Sequence, residues 1–173
     1  MRSHISLARM IALFFVTVLA VIGSYSESNA TTATANSTAT VVTPIAITKN
    51  LDMLFGKFIA GTGGSVVLGT DGSRAATSGV MLFTQGSSQN AASFAVSGEG
   101  SYTYGITLPP NNVSLSDGAS HTMTVGSFVS NPSGTGILTA GAQTLLVGGT
   151  LTVSSAQAPG NYTGSFSVSV DYN

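Results

Sequence analysis

Gly160-Asn-Tyr-Thr-Gly-Ser-Phe-Ser-Val-Ser-Val-Asp-Tyr-Asn173 is the most regular stretch of the chain. From Tyr162 every second residue is apolar or small: Tyr162, Gly164, Phe166, Val168, Val170 and Tyr172. The residues between them, Thr163, Ser165, Ser167, Ser169 and Asp171, are all polar. Alternate side chains of a strand point to opposite faces, so this period of two predicts a strand over Tyr162–Tyr172 with one apolar and one hydrated face. Such a strand has two edges. An edge left without a partner is a template for pairing with another chain.

Upstream the same signature recurs at about ten-residue intervals. Alternating runs lie at Ala39–Thr48, Ala91–Val96 and Tyr102–Leu108, and Leu51–Ala60 and Thr122–Val129 also read as strands. Asp71-Gly72 marks a two-residue hairpin between Ser65–Gly69 and Arg74–Gly79. Short runs at Val80–Phe83, Val113–Leu115 and Ile137–Thr139 add further strands, and Gly148-Gly149 separates Gln143–Val147 from Thr150–Val153. Gly56, directly after Phe55, predicts a bulge or a close backbone approach. Pro44 lacks an amide hydrogen, which places its strand at a sheet edge or a switch between sheets. No stretch after residue 30 keeps a helical period. Many short strands joined by Gly-rich turns predict an all-β sandwich or barrel.

The N-terminal residues read as a processing signal. Arg2 and Arg9 precede the apolar run Ile11–Ile22, and Ser28-Asn29-Ala30 supplies small residues for cleavage. The run is too short for the roughly 20 residues that a membrane-spanning helix needs. The expected organisation is a signal peptide at 1–30, a flexible Ser/Thr/Ala-rich leader at 31–38 and one β-sandwich domain at 39–173. Export then takes the chain through the periplasm to the cell surface or beyond, with no membrane span after cleavage.

The expected mature chain carries Lys49, Lys57 and Arg74 against Asp52, Asp71, Glu99, Asp117 and Asp171, a net charge of −2. No basic run points to nucleic acid. Charged residues are 6% of the whole chain, against about 25% in ordinary soluble proteins. Hydroxyl and amide side chains supply the polarity instead, which suits faces that meet other protein. The chain has no cysteine, so thiol chemistry, thiolate metal sites and disulfides are excluded.

Signals for catalysis are weak. His121 is the lone histidine after residue 30. No nucleophile elbow or phosphate-binding loop occurs. Asp71, Glu99 and Asp117 lie in separate turns beside glycines, a turn-forming pattern before it is a calcium site. The expectation is a non-enzyme without cofactor or metal. Tyr102 and Tyr104 share a strand face and suit either a glycan platform or a core. A self-contained glycan-binding sandwich and a small outer-membrane barrel are therefore the alternatives.

The C-terminal stretch resembles the terminal strand of pilin subunits assembled by the chaperone–usher pathway. The resemblance lies in Gly160, fourteenth from the end, the alternation of Tyr162, Phe166, Val168 and Val170, and the penultimate Tyr172. Pro44-Ile-Ala-Ile-Thr-Lys49, Leu54-Phe-Gly56 and Gly160-Asn-Tyr-Thr-Gly164 are similar to secreted bacterial domains of unassigned function distantly akin to spore-coat-U-type pilins. One departure is the missing disulfide that many such subunits carry. The resemblance implies an immunoglobulin-like sandwich that is incomplete and is completed by donor-strand addition. It implies a structural role in a surface fimbria, with other copies or related subunits, a periplasmic chaperone and an outer-membrane usher as partners. Ala39, Val41, Ile45 and Ile47 are the donor-strand candidates, and the same residues fit the first strand of the chain's own domain. Gly160, Tyr162, Phe166, Val168, Val170 and Tyr172 form the C-terminal assembly strand.

Overall fold

A computed structural model describes residues 29–173. The signal-peptide features at Arg2, Arg9 and Ile11–Ile22 lie outside the described residues. Contacts divide the chain into two units, residues 1–40 and 41–173. Among the described residues of the first unit there is no helix or strand.

The second unit is all-β, as the alternation predicts. Twelve strands follow in order: β1 (Ala46–Leu51), β2 (Phe58–Ile59), β3 (Gly64–Leu68), β4 (Arg74–Ser78), β5 (Met81–Leu82) and β6 (Ala92–Ser97). Then come β7 (Thr103–Thr107), β8 (Val113–Ser116), β9 (Thr122–Asn131), β10 (Thr135–Ile137), β11 (Ala142–Val153) and β12 (Ser169–Tyr172). All strand pairs are antiparallel. The main sheet runs β1-β6-β11-β3-β4, with β9 also on β11 and β8 on β9. A second sheet has the order β10-β7-β12, and β2 pairs β5.

β11 is the spine. Its first half pairs β6 from Ala142 to Val147, and its second half pairs β3 from Gly149 to Val153. β9 runs along the opposite edge, with a bulge between Gly148 and Thr150. The change of partner falls on Gly148, where a Cβ would collide with the Leu68 carbonyl. The glycine pair, which the sequence marks as a bulge or a tight turn, is thus a bulge, at the point where one strand passes from one neighbour to the next.

Odd-numbered side chains of β11 point inward throughout. Leu145 and Val147 join one core cluster with Tyr104, Leu138 and Val170. Leu151 and Val153 join another with Phe55, Leu68 and Val125. Met53 and Phe128 pack against both clusters. The even-numbered positions include Thr144, Thr150 and Thr152, with Leu146 the one large apolar side chain among them. Ser114, Thr124, Thr152, Ser65 and Thr77 are successive register partners across five strands, a transverse row of hydroxyls on the outer face.

Three expectations need correction. The strand predicted over Ala39–Thr48 begins only at Ala46. Pro44 supplies no amide hydrogen for a ladder, and β1 lies at the sheet edge, as that proline requires. The strand predicted over Leu51–Ala60 is interrupted: Leu54 makes a single bridge to Asn90, and pairing resumes at Phe58. Gly56, with φ of 72°, breaks it. The strand predicted over Tyr162–Tyr172 forms a ladder only at Ser169–Tyr172, with one further bridge at Thr163.

Replacing Gly148 by alanine is expected to destabilise the domain by about 2 kcal/mol, because the methyl group must displace β3 from β11. Urea unfolding of the two proteins measures the difference.

Candidate functional site: an open seam beside the C-terminal strand

The C-terminal stretch keeps its alternation even where it lacks a ladder. Tyr162, Phe166, Val168 and Tyr172 are half-buried and Val170 is buried, while Thr163, Ser165, Ser167, Ser169 and Asp171 are exposed. Phe166 lies 5.1 Å from Phe128 and 6.5 Å from Phe94 between ring centroids. Gly164 is exposed, yet a Cβ there would come within 2.5 Å of the Ser114 carbonyl oxygen. Gly160 has no such constraint, since its nearest neighbour would be Asp117 Cβ at 3.5 Å.

The backbone polar groups of this stretch are paired toward its two ends. Thr163 exchanges both backbone hydrogen bonds with Ser116 of β8. The Asn173 amide donates to Thr103 of β7, and Ile106 turns its amide the other way, to Gly134. Ser169 and Asp171 are therefore the residues whose peptide groups face β7. Thr163 thus pairs with β8, and Ser169, Asp171 and Asn173 pair with β7, which turns the Val170 peptide groups to the other edge. Among the described residues, 164–168 between them have no backbone partner on either side, and no strand pairs with the other edge.

Beside the stretch lies a cleft of about 1120 Å³. One wall is the Gly160–Phe166 stretch, and the other is Leu51–Gly61. Phe94, Leu115, Met123, Val125 and Leu151 contribute to its apolar lining. At one end Ala156 donates its amide to Gly61 O, at 3.3 Å, and ties the two walls. Tyr162 fixes the same corner by donating to Ala158 O at 2.8 Å and accepting from Gln157 Nε2 at 2.9 Å.

Tyr172 and Glu99 form a second tie where the chain enters β1. The Tyr172 hydroxyl donates to Thr43 O at 2.8 Å and accepts from the Glu99 amide at 2.6 Å. The Glu99 carboxylate accepts from the Thr43 amide at 2.9 Å. That bond holds the Glu99 carboxyl below its ordinary 4.5. Sequence reading gave Glu99 no role beyond a turn, and no local signal joins it to Thr43.

The other acidic candidates serve their own turns. Asp71 accepts from the hydroxyl and the amide of Ser73. Asp117 accepts from Ala119 N, and its second oxygen lies 2.6 Å from His121 Nδ1. The His121 side chain chiefly lowers the Asp117 pKa. Among the described residues no three His, Asp or Glu side chains gather at one point. Tyr104 and Tyr102 part company: Tyr104 is fully buried and donates to Gln143 Oε1, whereas Tyr102 is half exposed and packs on Tyr172. No paired aromatic platform therefore faces solvent at that strand.

The donor-strand candidates also divide. Ile45 and Ile47 pack against the domain's own core, and Ile47 sits opposite Val96 in the β1–β6 ladder. Val41 is 96% exposed. Ala39 precedes the second unit.

Residues 45–172 match the family described as Domain of unknown function (DUF4402). The chain belongs to that family. The match begins at Ile45 and ends at Tyr172, and so takes in β1, both cleft walls and the C-terminal strand. No curated protein and no solved structure matches the chain.

The Glu99 tie gives a pH prediction. A carboxyl whose folded pKa is depressed adds stability above its unfolded pKa and loses it as pH falls through the folded value. Stability is expected to drop below about pH 4.5, and Glu99→Gln is expected to shrink the part of that drop due to this group. Denaturant midpoints between pH 7 and pH 3 for both proteins check the difference.

Proposed function

We propose that this protein is a non-catalytic structural subunit of a bacterial surface fimbria, assembled by β-strand donation between copies. The observation that carries the proposal is the open seam: an apolar cleft lined by the Gly160–Phe166 stretch, in which the peptide groups of Gly164 and Phe166 have no backbone partner among the described residues. A strand laid in the cleft gains main-chain hydrogen bonds along that stretch and drops alternate side chains onto the apolar floor. Each net hydrogen bond contributes about 0.5–1.5 kcal/mol, and each buried valine about 1.5–3 kcal/mol.

The donor is the segment before β1 of a second copy. Ile45 and Ile47 belong to the acceptor's own fold, so the donated part lies further upstream. There Ala33, Ala35, Ala39 and Val41 recur at odd positions among hydroxyl residues, the pattern of small inward side chains that a shared cleft takes. Export through the periplasm with chaperone and usher as assembly partners belongs to the same proposal.

Two features favour this reading over its alternatives. Tyr104 is buried, which takes one of the two candidate aromatics out of reach of a glycan. Leu145, Val147, Leu151 and Val153 of β11 are buried in the core, whereas a membrane barrel turns its apolar side chains outward to lipid.

The experiment removes residues 31–42 from the mature chain and adds a peptide of sequence Thr31–Thr43. Expected are monomers without the peptide and a thermal midpoint that rises with peptide concentration. At a hundred times Kd the stabilisation is about 2.7 kcal/mol. A Val41→Asp peptide is expected to lose most of it. The intact mature chain is expected to form oligomers that grow with concentration. A sharp monomeric melt unchanged by peptide, with an intact chain monomeric throughout, overturns the proposal.

A further inference from the structure

Arg74 is a cation that directs its charge to backbone carbonyls and, among the described residues, makes no ion pair. It lies in β4, at the edge of the main sheet opposite β1. Among the described residues the ion pairs are Lys49 with Asp52 and His121 with Asp117, and neither involves Arg74. Its guanidinium donates instead to three backbone carbonyls. Nη1 reaches Phe55 O at 2.6 Å and Lys57 O at 3.0 Å, and Nη2 reaches Phe83 O at 2.8 Å. Phe55 and Lys57 belong to the cleft wall that faces the C-terminal strand.

The surroundings are shaped to this contact. Gly56, between the two carbonyls, has φ of 72°, and a Cβ there would sit 2.5 Å from both Arg74 Nη1 and Ser87 Oγ. Ser87 Oγ in turn accepts the Lys57 amide at 2.8 Å. Phe83 donates its amide to Lys57 O. The wall is thus held from behind by a guanidinium, a hydroxyl and an amide. Its Phe55 and Lys57 carbonyls are engaged there. Without those bonds the wall and the C-terminal strand, each with unpaired peptide groups, have every reason to pair with each other.

We propose that Arg74 is the positioning residue that keeps the cleft open, by holding the Phe55 and Lys57 carbonyls away from the Gly160–Phe166 wall. The purpose of an open cleft rests on the strand-acceptance reading above. The structural effect does not depend on it. Arginine suits the task because its planar fork engages several carbonyls at once, and lysine presents a single point of donation.

Amide hydrogen exchange on the full-length mature chain, at a dilution where sedimentation shows monomers, tests this directly. In the wild type the amides of Gly164 and Phe166 are expected to exchange fast, with protection below about tenfold. In Arg74→Ala their protection is expected to rise by about tenfold or more as the seam closes, with near-ultraviolet circular dichroism verifying folding. Arg74→Lys is expected to fall between the two and decides the matter if the alanine variant does not fold. The association rate of the Thr31–Thr43 peptide is expected to fall about tenfold in Arg74→Ala, with a smaller loss in Arg74→Lys. Unchanged fast exchange at these two amides in a folded variant overturns the inference, as does strong protection in the monomeric wild type. If the wild type takes up no peptide while the exchange pattern shifts as expected, strand donation falls and the role of Arg74 stands.

Discussion

The fold depends on one strand serving three neighbours. β11 pairs β6 and then β3 along one edge while β9 occupies the other. That exchange needs a place without side chains, and Gly148-Gly149 supplies it. Because β11 holds its inward parity through the switch, one line of residues, Leu145, Val147, Leu151 and Val153, seeds both core clusters. The cleft then arises at the margin. Neither cluster is roofed by a paired strand between the Leu51–Gly61 wall and the C-terminal stretch, so apolar floor and unpaired peptide groups occur in the same place.

Much of this was legible in the sequence, for a definite reason. A period of two reports which way side chains point, and from Tyr162 to Tyr172 burial follows it everywhere but at Gly164, which is exposed. It does not report whether the backbone has a neighbour. Gly164–Val168 alternates as well as Ser169–Tyr172 does, yet only the latter has a ladder, because the partner is chosen by residues some sixty positions away in β7. The hairpin at Asp71-Gly72 was readable because both halves of the contact are local, but its loop is Thr70–Gly72, three residues and not the expected two, since the Gly69 amide donates to Ser73 O. Gly56 was readable as a close approach, but not what approaches it, since Arg74 is 18 positions on.

The two ties that frame the seam show the same limit. Ala156 with Gly61, and Tyr172 with Thr43 and Glu99, join segments far apart in the chain through a few hydrogen bonds. Nothing in the local sequence of Glu99 distinguishes it from any acidic turn residue. Arg74 was legible only as a polar residue in a short return strand. The one available hint was its rarity: with three cations after residue 30, a placement away from every carboxylate carries information.

The Tyr172 tie also has a mechanical meaning. Thr43 is where the chain leaves the sandwich on the N-terminal side, and it is bonded there to β12 and to the turn after β6. A pull on the preceding residues reaches β1 lengthwise. It loads the β1–β6 ladder in shear, where several hydrogen bonds resist together, rather than peeling them one at a time. The tyrosine hydroxyl shares part of that load with the C-terminal strand across the seam. Tension on the arm is thereby spread over two sheets at the point of entry.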